Sequence, residues 1–287
     1  MPSLRQIRRR IRSVKGTAQI TKAMELVAAS KMRRAQLAVL AARPYADKID
    51  EFIADLAGQG ALPEGGALHP LLERRQTVSR VGLILITSDR GLAGGLNANV
   101  LRATANYMLD QQVPVSATAI GRKGRDWLLR YGREVRAEFL GLGDRPNYLE
   151  IVPVARVAMD DYISGYVDRV DIIYTKFVNT LVQRPTVQPL LPIEPRAASG
   201  RSIEYIYEPD PRSVLSDLLP RFVEVEVYRA LLEAVASELS ARMIAMRNAT
   251  DNANEIVRDL TLMYNQARQA SITREIIDIV SGAQSRA

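Results

Sequence analysis

Apolar residues fall at steps alternating three and four near both ends of the chain, and in short unbroken runs in the middle. Leu4, Ile7, Ile11, Val14 and Ala18 keep the alternation. It resumes from Ala28 through Met32, Ala35, Val39, Ala42, Ala46, Ile49, Ile53 and Leu56. This is the seam of a left-handed coiled coil, with a break near Thr21. Gly16 is the only glycine before Gly58, and strong helix formers dominate. Pro44 requires a kink or a lost hydrogen bond. The far end repeats the pattern through Leu232, Ala236, Leu239, Met243, Met246, Ala249, Ala253, Ile256, Leu260, Met263, Ala267 and Ala270. A three-residue stammer from Met246 to Ala249 is its one irregularity. Pro220 suits a first helical turn and is expected to open the long part of this helix.

The middle reads as alternating strands and helices. Strands are expected at "RVGLILIT" (80–87), "VPVSATAI", "EVRAEFL", "VDIIYTKFVN" and "TVQPLLPIE", with helices near 97–111, 122–132 and 148–166. A continuous apolar run such as the first strand belongs to a sheet covered on both faces. The expected fold is α/β: an antiparallel coiled coil of long N- and C-terminal helices plus a central Rossmann-like domain with a mainly parallel sheet. The expected divisions are 1–57, 76–195 and 210–287.

Length adds a geometric point. Helices of about 53 and 75 residues span roughly 80 and 110 Å. If they leave the domain together, the last ~20 residues of the second have no partner in this chain. The apolar face at Ile272, Ile276, Ile279 and Val280 then needs another protein.

Composition narrows the chemistry. No stretch is long and apolar enough for a membrane-spanning helix. There are no cysteines, which excludes disulfides and thiol chemistry. The single histidine, His69, sits in a Pro/Gly-rich segment and reads as surface. The net charge of +7 is concentrated at the start: residues 1–34 hold ten Lys or Arg against Glu25 alone. Such an arm fits nucleic acid, a targeting peptide or an acidic partner. Residues 1–44 contain no aromatic residue, which weakens the nucleic-acid reading. A seam that matches the other helix weakens the targeting one.

"SDRGLAGGLN" places Gly91, Gly94 and Gly95 between a strand and a helix, where phosphate loops lie. Its spacing matches neither standard phosphate-loop pattern, so a tight turn is the simpler reading. "GRKGRDW" (121–127) is a turn and helix start. Asp160–Asp161 and Glu224/Glu226 have no histidine or metal-ligand set beside them and read as solvated helix faces. Three classes remain open on the residues alone: a non-catalytic coiled-coil subunit, an α/β nucleotide-binding enzyme with coiled-coil arms, and a nucleic-acid-binding coiled coil.

Several segments together resemble the gamma subunits of F-type ATP synthases. They are "IRRRIRSVKGTAQITKAMELVAASKMRRAQ", "RPYAD", "TSDRGLAGGLN", "YEPDP", "ASELSARMIAMRNATDNANEI" and "LTLMYNQARQASIT". The likeness covers nearly the whole chain in order and spacing. It implies a rotor shaft coupling proton-driven c-ring rotation to ATP synthesis or hydrolysis on the beta subunits, with no catalysis and no cofactor of its own. The implied partners are three alpha and three beta subunits, the epsilon subunit and the membrane c-ring, and no nucleic acid. By the same resemblance Lys22, Met24, Arg268, Gln269, Thr273 and Glu275 contact beta subunits. Glu204, Tyr205, Tyr207 and Glu208 lie in the foot that meets the c-ring and epsilon. Ala93 stands where many members have cysteine, and the segment after "PIEPRAASGRS" lacks the chloroplast regulatory insertion, so redox control is not expected. The helix begins within a few residues of Met1, which suggests a bacterial protein at the cytoplasmic side of the inner membrane, peripheral and held through the c-ring.

Overall fold

The computed structural model describes residues 3–58, 69–194 and 211–284. Its main elements are α1 (Leu4–Gly58), β1 (Val81–Ile86), α2 (Leu96–Asp110), β2 (Val115–Ile120), α3 (Arg122–Arg130), β3 (Val135–Phe139), α4 (Tyr148–Ile163), β4 (Arg169–Phe177), β5 (Gln183–Leu191) and α5 (Pro211–Gln284). The strands form one sheet in the order β3-β2-β1-β4-β5. β1 is parallel to β2 and β4, β2 is parallel to β3, and only the β4–β5 pair is antiparallel. The expected fold class therefore holds. By its contacts the chain forms two compact units, Ala29–Ala241 and the pair Met1–Ala28 with Arg242–Ala287.

The larger unit is layered. All six residues of β1 are buried, and they alternate between two cores. Leu83 and Leu85 face α2 and α3 with Val100, Met108 and Leu128. Ile84 and Ile86 pack in the other core with α4 and the α5 residues Val227, Leu231 and Val235. Helices on both faces are why this strand tolerates no polar position. β5, at the edge, carries Pro185 and Pro189, where missing N–H donors cost least. α4 opens with a capping box made by Asn147 and Glu150. The segment entering β1 is tied down by Asp168. Its carboxylate accepts bonds from Ser79 N (2.7 Å), Ser79 Oγ (2.5 Å), Arg80 N (3.1 Å) and Arg75 Nη1 (2.9 Å). Burial alone raises this carboxyl's pKa, but the bonds from Ser79, Arg80 and Arg75 outweigh it and bring it to about 2.

α5 starts earlier than proline placement suggests. It begins at Pro211 and runs through Pro220, which is interior and not a first-turn residue. A mid-helix proline costs ~3 kcal/mol. Leu215 and Leu219, on the turns before it, are buried in the core, and burial of two leucines contributes roughly 3–6 kcal/mol. α1 likewise continues through Pro44.

The smaller unit is an antiparallel helix pair. Arg8 Nη2 donates to Tyr264 Oη at 3.1 Å, Thr21 and Thr250 hydroxyls bond at 2.7 Å, and Arg247 Nε donates to Glu25 at 3.1 Å. Residue numbers rise on α1 as they fall on α5. Here the structure corrects both irregularities read from the apolar pattern. Ile7, Ala18, Glu25 and Ala28 are buried, and Leu4, Ile11, Val14 and Thr21 are half-buried between them. The seam therefore passes through Thr21 and Glu25 without a break. On α5 it runs Met243, Met246, Thr250, Ala253, Val257, Leu260, Tyr264, Ala267, Ser271, all buried or half-buried. No stammer exists, because Thr250 and not Ala249 is the seam residue. Ile256 and Met263, placed on the seam by apolarity, are exposed. Polar side chains with partners sit where hydrophobicity alone predicts a gap.

Candidate functional site

An open α/β sheet binds ligands at the carboxyl ends of its strands, where the strand order reverses. In this sheet that point lies between β1 and β4. α5 fills it. Leu231, Ala234, Val235 and Glu238 line the space with Thr87 and Thr175, and only about 20 Å³ remains. That holds about one water, whereas ligand sites run to hundreds of Å³. Ser237 Oγ donates to the Thr175 carbonyl at 2.9 Å and fixes the helix there.

The glycine loop is spent on its own structure. Ser88 Oγ donates to the Arg90 carbonyl (2.7 Å), and Asn97 Nδ2 donates to Ser88 Oγ (2.8 Å). Asp89 accepts from the backbone of Arg122 and Gly141. The N–H of Gly124, at the start of α3, points at Thr87 Oγ1 at 2.7 Å and not at an anion. Gly121 has φ +92°, and a Cβ there would lie 2.1 Å from the Thr87 carbonyl oxygen. The "GRKG" glycines thus serve a close crossing of two loops. This supports the turn reading of both motifs.

The paired acids need correction. Asp160 is exposed, but Asp161 is buried and held by Arg136 through contacts of 2.9–3.2 Å. Glu224 is buried and accepts from the Tyr148 hydroxyl; Glu226 is buried and accepts from Gln188 Nε2 (2.5 Å) and Arg229 (3.1 Å). They are structural anchors of α4 and α5, not solvated faces. The alternation of helix positions does not reveal this, because Arg136, Tyr148 and Gln188 each come from another element. His69 accepts the Leu71 N–H at 3.2 Å and caps a short turn; burial lowers its pKa. Among the described residues no three His, Cys, Asp or Glu side chains cluster as metal ligands. An opening of about 670 Å³ lies between α1, the loop after β3 and α5, lined by Lys31, Arg34, Asp144 and Arg145 among apolar side chains. Its one carboxylate, Asp144, is ion-paired with Lys31.

The expected contact residues lie on the helix pair. Lys22 is exposed and Met24 half-buried beside it. Lys22 Nζ bonds Glu25 Oε2 at 3.0 Å. Hydrogen bonds from Lys22 first, then Arg247, hold the buried Glu25 carboxyl below its ordinary pKa against the opposing effect of burial. Arg268, Gln269, Thr273 and Glu275 are all exposed, away from the seam. Thr273 Oγ1 donates to the Gln269 carbonyl, so these two share a face. After Ser271, the last half-buried seam residue, Ile272, Ile276, Ile277 and Ile279 are exposed, Ile279 by 72%. Glu204, Tyr205, Tyr207 and Glu208 fall outside the described residues. Sequence reasoning missed Thr21, Glu25, Arg247 and Thr250. The signal available was polar residues at the spacing of an otherwise apolar heptad.

A family model described as ATP synthase matches residues 3–285. The ATP synthase gamma chain of Dehalococcoides mccartyi (strain ATCC BAA-2266 / KCTC 15142 / 195) is 56% identical over 289 residues, covering all of both chains. That of Herpetosiphon aurantiacus is 54% identical over 292 residues, covering 99% of this chain and 98% of its own. Among solved structures, a chain of the Tetrahymena thermophila mitochondrial ATP synthase central stalk and c-ring is 26% identical with a TM-score of 0.63. It covers 80% of this chain and 99% of its own. A chain of the Euglena gracilis mitochondrial rotor shares the fold, with TM-score 0.64 at 17% identity, covering 94% and 98%. With its ligand crevice plugged by its own helix and relatives matched from end to end, the chain belongs to the ATP synthase gamma-chain family, as a central-stalk subunit that is not itself catalytic.

Proposed function

We propose that the chain turns inside a ring of three alpha and three beta subunits and transmits c-ring rotation to the nucleotide sites of beta. In this reading the helical arms (1–57 and 210–287) are the shaft. The α/β domain (76–195) and the segment with Glu204, Tyr205, Tyr207 and Glu208 meet the c-ring and epsilon. Lys22 and Met24, with Arg268, Gln269, Thr273 and Glu275, are beta-subunit contacts. The shaft's asymmetry biases three identical catalytic subunits toward different states, which requires contacts whose free energy differs between those states.

The carrying observation is the far end of α5: a helix held on a strict seam up to Ser271, then four isoleucines with nothing over them. A run of exposed large apolar side chains marks a surface that is buried on assembly. Membrane association comes only through the c-ring, on the cytoplasmic side of a bacterial inner membrane. In keeping with this, no helix among the described residues is long and apolar enough to cross a membrane. The test is a pull-down with a tagged chain. Recovery of alpha and beta with ATPase activity is expected, and none from the chain alone. Turnover by a preparation proven free of beta overturns the reading.

A further inference from the structure

Lys22 and Arg247 both flank the seam, each one residue past a seam position, Thr21 and Met246. In an antiparallel pair such flanking positions face each other, so two cations meet where unlike charges are the stabilising choice. Between them lies Glu25, 5% exposed. One of its oxygens takes Lys22 Nζ at 3.0 Å and the other takes Arg247 Nε at 3.1 Å. The side chains of both cations are more than half exposed, at 55% and 59%. The hydroxyls next to the layer are already committed. Thr21 and Thr250 bond each other, Thr21 Oγ1 lies 3.1 Å from the Ala18 carbonyl, and Thr250 Oγ1 bonds the Met246 carbonyl. One buried carboxylate thus serves two surface cations from two helices, with no neighbouring hydroxyl to relieve it.

The surface around it is not that of a plain basic helix. Ile20, Leu26 and Val27 are exposed by 63%, 60% and 55%. Leu26 stands four residues from Lys22, on the same face. Large apolar groups beside cations fit a protein surface that presents a carboxylate among apolar side chains; a phosphate backbone leaves the apolar groups uncovered.

We propose that Lys22, Glu25 and Arg247 form one contact site across both helices, in which Glu25 is a shared internal counter-ion that either cation leaves when an acidic group of a protein partner takes it. This rests on the reading of Lys22 as a partner contact and adds Arg247 as a second contact residue and Glu25 as their positioning residue. When the partner takes Lys22, Glu25 is left to Arg247 and draws it inward; when it takes Arg247, the reverse holds. The two cations therefore present alternative contacts, and which one is offered changes with the face turned toward the partner.

The test is a mutant cycle in the assembled complex with alpha and beta, reading the ATPase rate and its dependence on ionic strength. Lys22→Gln, Arg247→Gln and the double variant are made in the parent and in Glu25→Gln. Removing Lys22 gives Glu25 wholly to Arg247, so the second substitution costs less than it does alone. The double variant is expected to fall short of the product of the two single effects by about threefold or more. In Glu25→Gln the effects should multiply, and the salt dependence should be steeper because both cations are free. If the Gln variant fails to assemble, Glu25→Asp, one methylene shorter, serves instead and should shrink the non-additivity. Multiplying effects in the parent, or equal non-additivity without the carboxylate, overturns the shared counter-ion alone. Single variants that leave rate and salt dependence untouched at full assembly overturn the contact reading of Lys22 itself.

Discussion

Between Phe222 and Ser240, α5 is buried or half-buried at every position; between Ile272 and Ile279 every residue whose side chain is described is exposed. Apolar content does not separate the two stretches, since the second holds four isoleucines. The neighbours separate them. In the first stretch the helix lies in the sheet's switch point, packed in one core with β4, α4 and the α1 residues Ala35 and Val39. From Met243 to Ser271 the helix pairs with α1, and burial narrows to a two-per-heptad stripe. After that no described side chain is buried. A helix apolar all round needs partners all round, and this one finds them inside its own domain at one end only.

The sharpest way to break this contrast is to put a charge on each stretch. Val227→Asp buries an unpaired carboxylate at a fully enclosed position and should cost several kcal/mol, enough to lose soluble protein. Ile279→Asp, at 72% exposure, should leave the isolated chain's melting temperature unchanged within error. Equal damage from both would mean that the far end is covered within this chain.

A second pair probes the middle stretch. Ala253→Trp overpacks a buried seam position and should cost ~1–3 kcal/mol, while Ala270→Trp, on the exposed side, should stay within about 0.5 kcal/mol. Urea melts of the two variants decide it. A silent Ala253→Trp would remove that residue from the seam.

A third prediction concerns the domain that encloses the first stretch. Asp168 has its folded pKa near 2, below its ordinary 3.8. Its contribution is therefore fully present above pH ~4 and is lost as the pH falls from there toward 2. The difference corresponds to about 2 kcal/mol. Asp168→Asn should remove a similar amount at pH 7 and flatten the acid limb of the stability curve. An unchanged acid limb would show that Ser79 and Arg75 gain nothing from the charge.

The smallest expected effect on the chain is the most informative about the complex. Deleting residues 277–287 should not change the melting of the isolated protein, yet should weaken assembly and torque while hydrolysis stays coupled. On the proposed assignment of Gln269 as a beta-subunit contact, Gln269→Leu should instead slow turnover at equal assembly. If truncation stops turnover and Gln269→Leu is silent, Gln269 is not the contact that sets the rate and the end of α5 is.

Periodicity made much of this architecture readable. Heptad steps named both long helices, and the unbroken "VGLILI" named a strand enclosed on both faces. Family-specific segments identified the subunit class. These properties are local: a helix or strand face repeats along the chain, so the pattern of side chains reports it. What the sequence could not show depends on groups far apart. Thr21 meets Thr250, Glu25 meets Arg247, Glu226 meets Gln188, and Asp161 meets Arg136. A polar side chain is excluded from a core only if it lacks a partner, and the partner is supplied by folding. For that reason the apolar pattern showed a break where the structure has a polar layer, and a solvated face where it has buried anchors. Only the tertiary structure decided that α5 would occupy the one crevice where this sheet could have held a ligand.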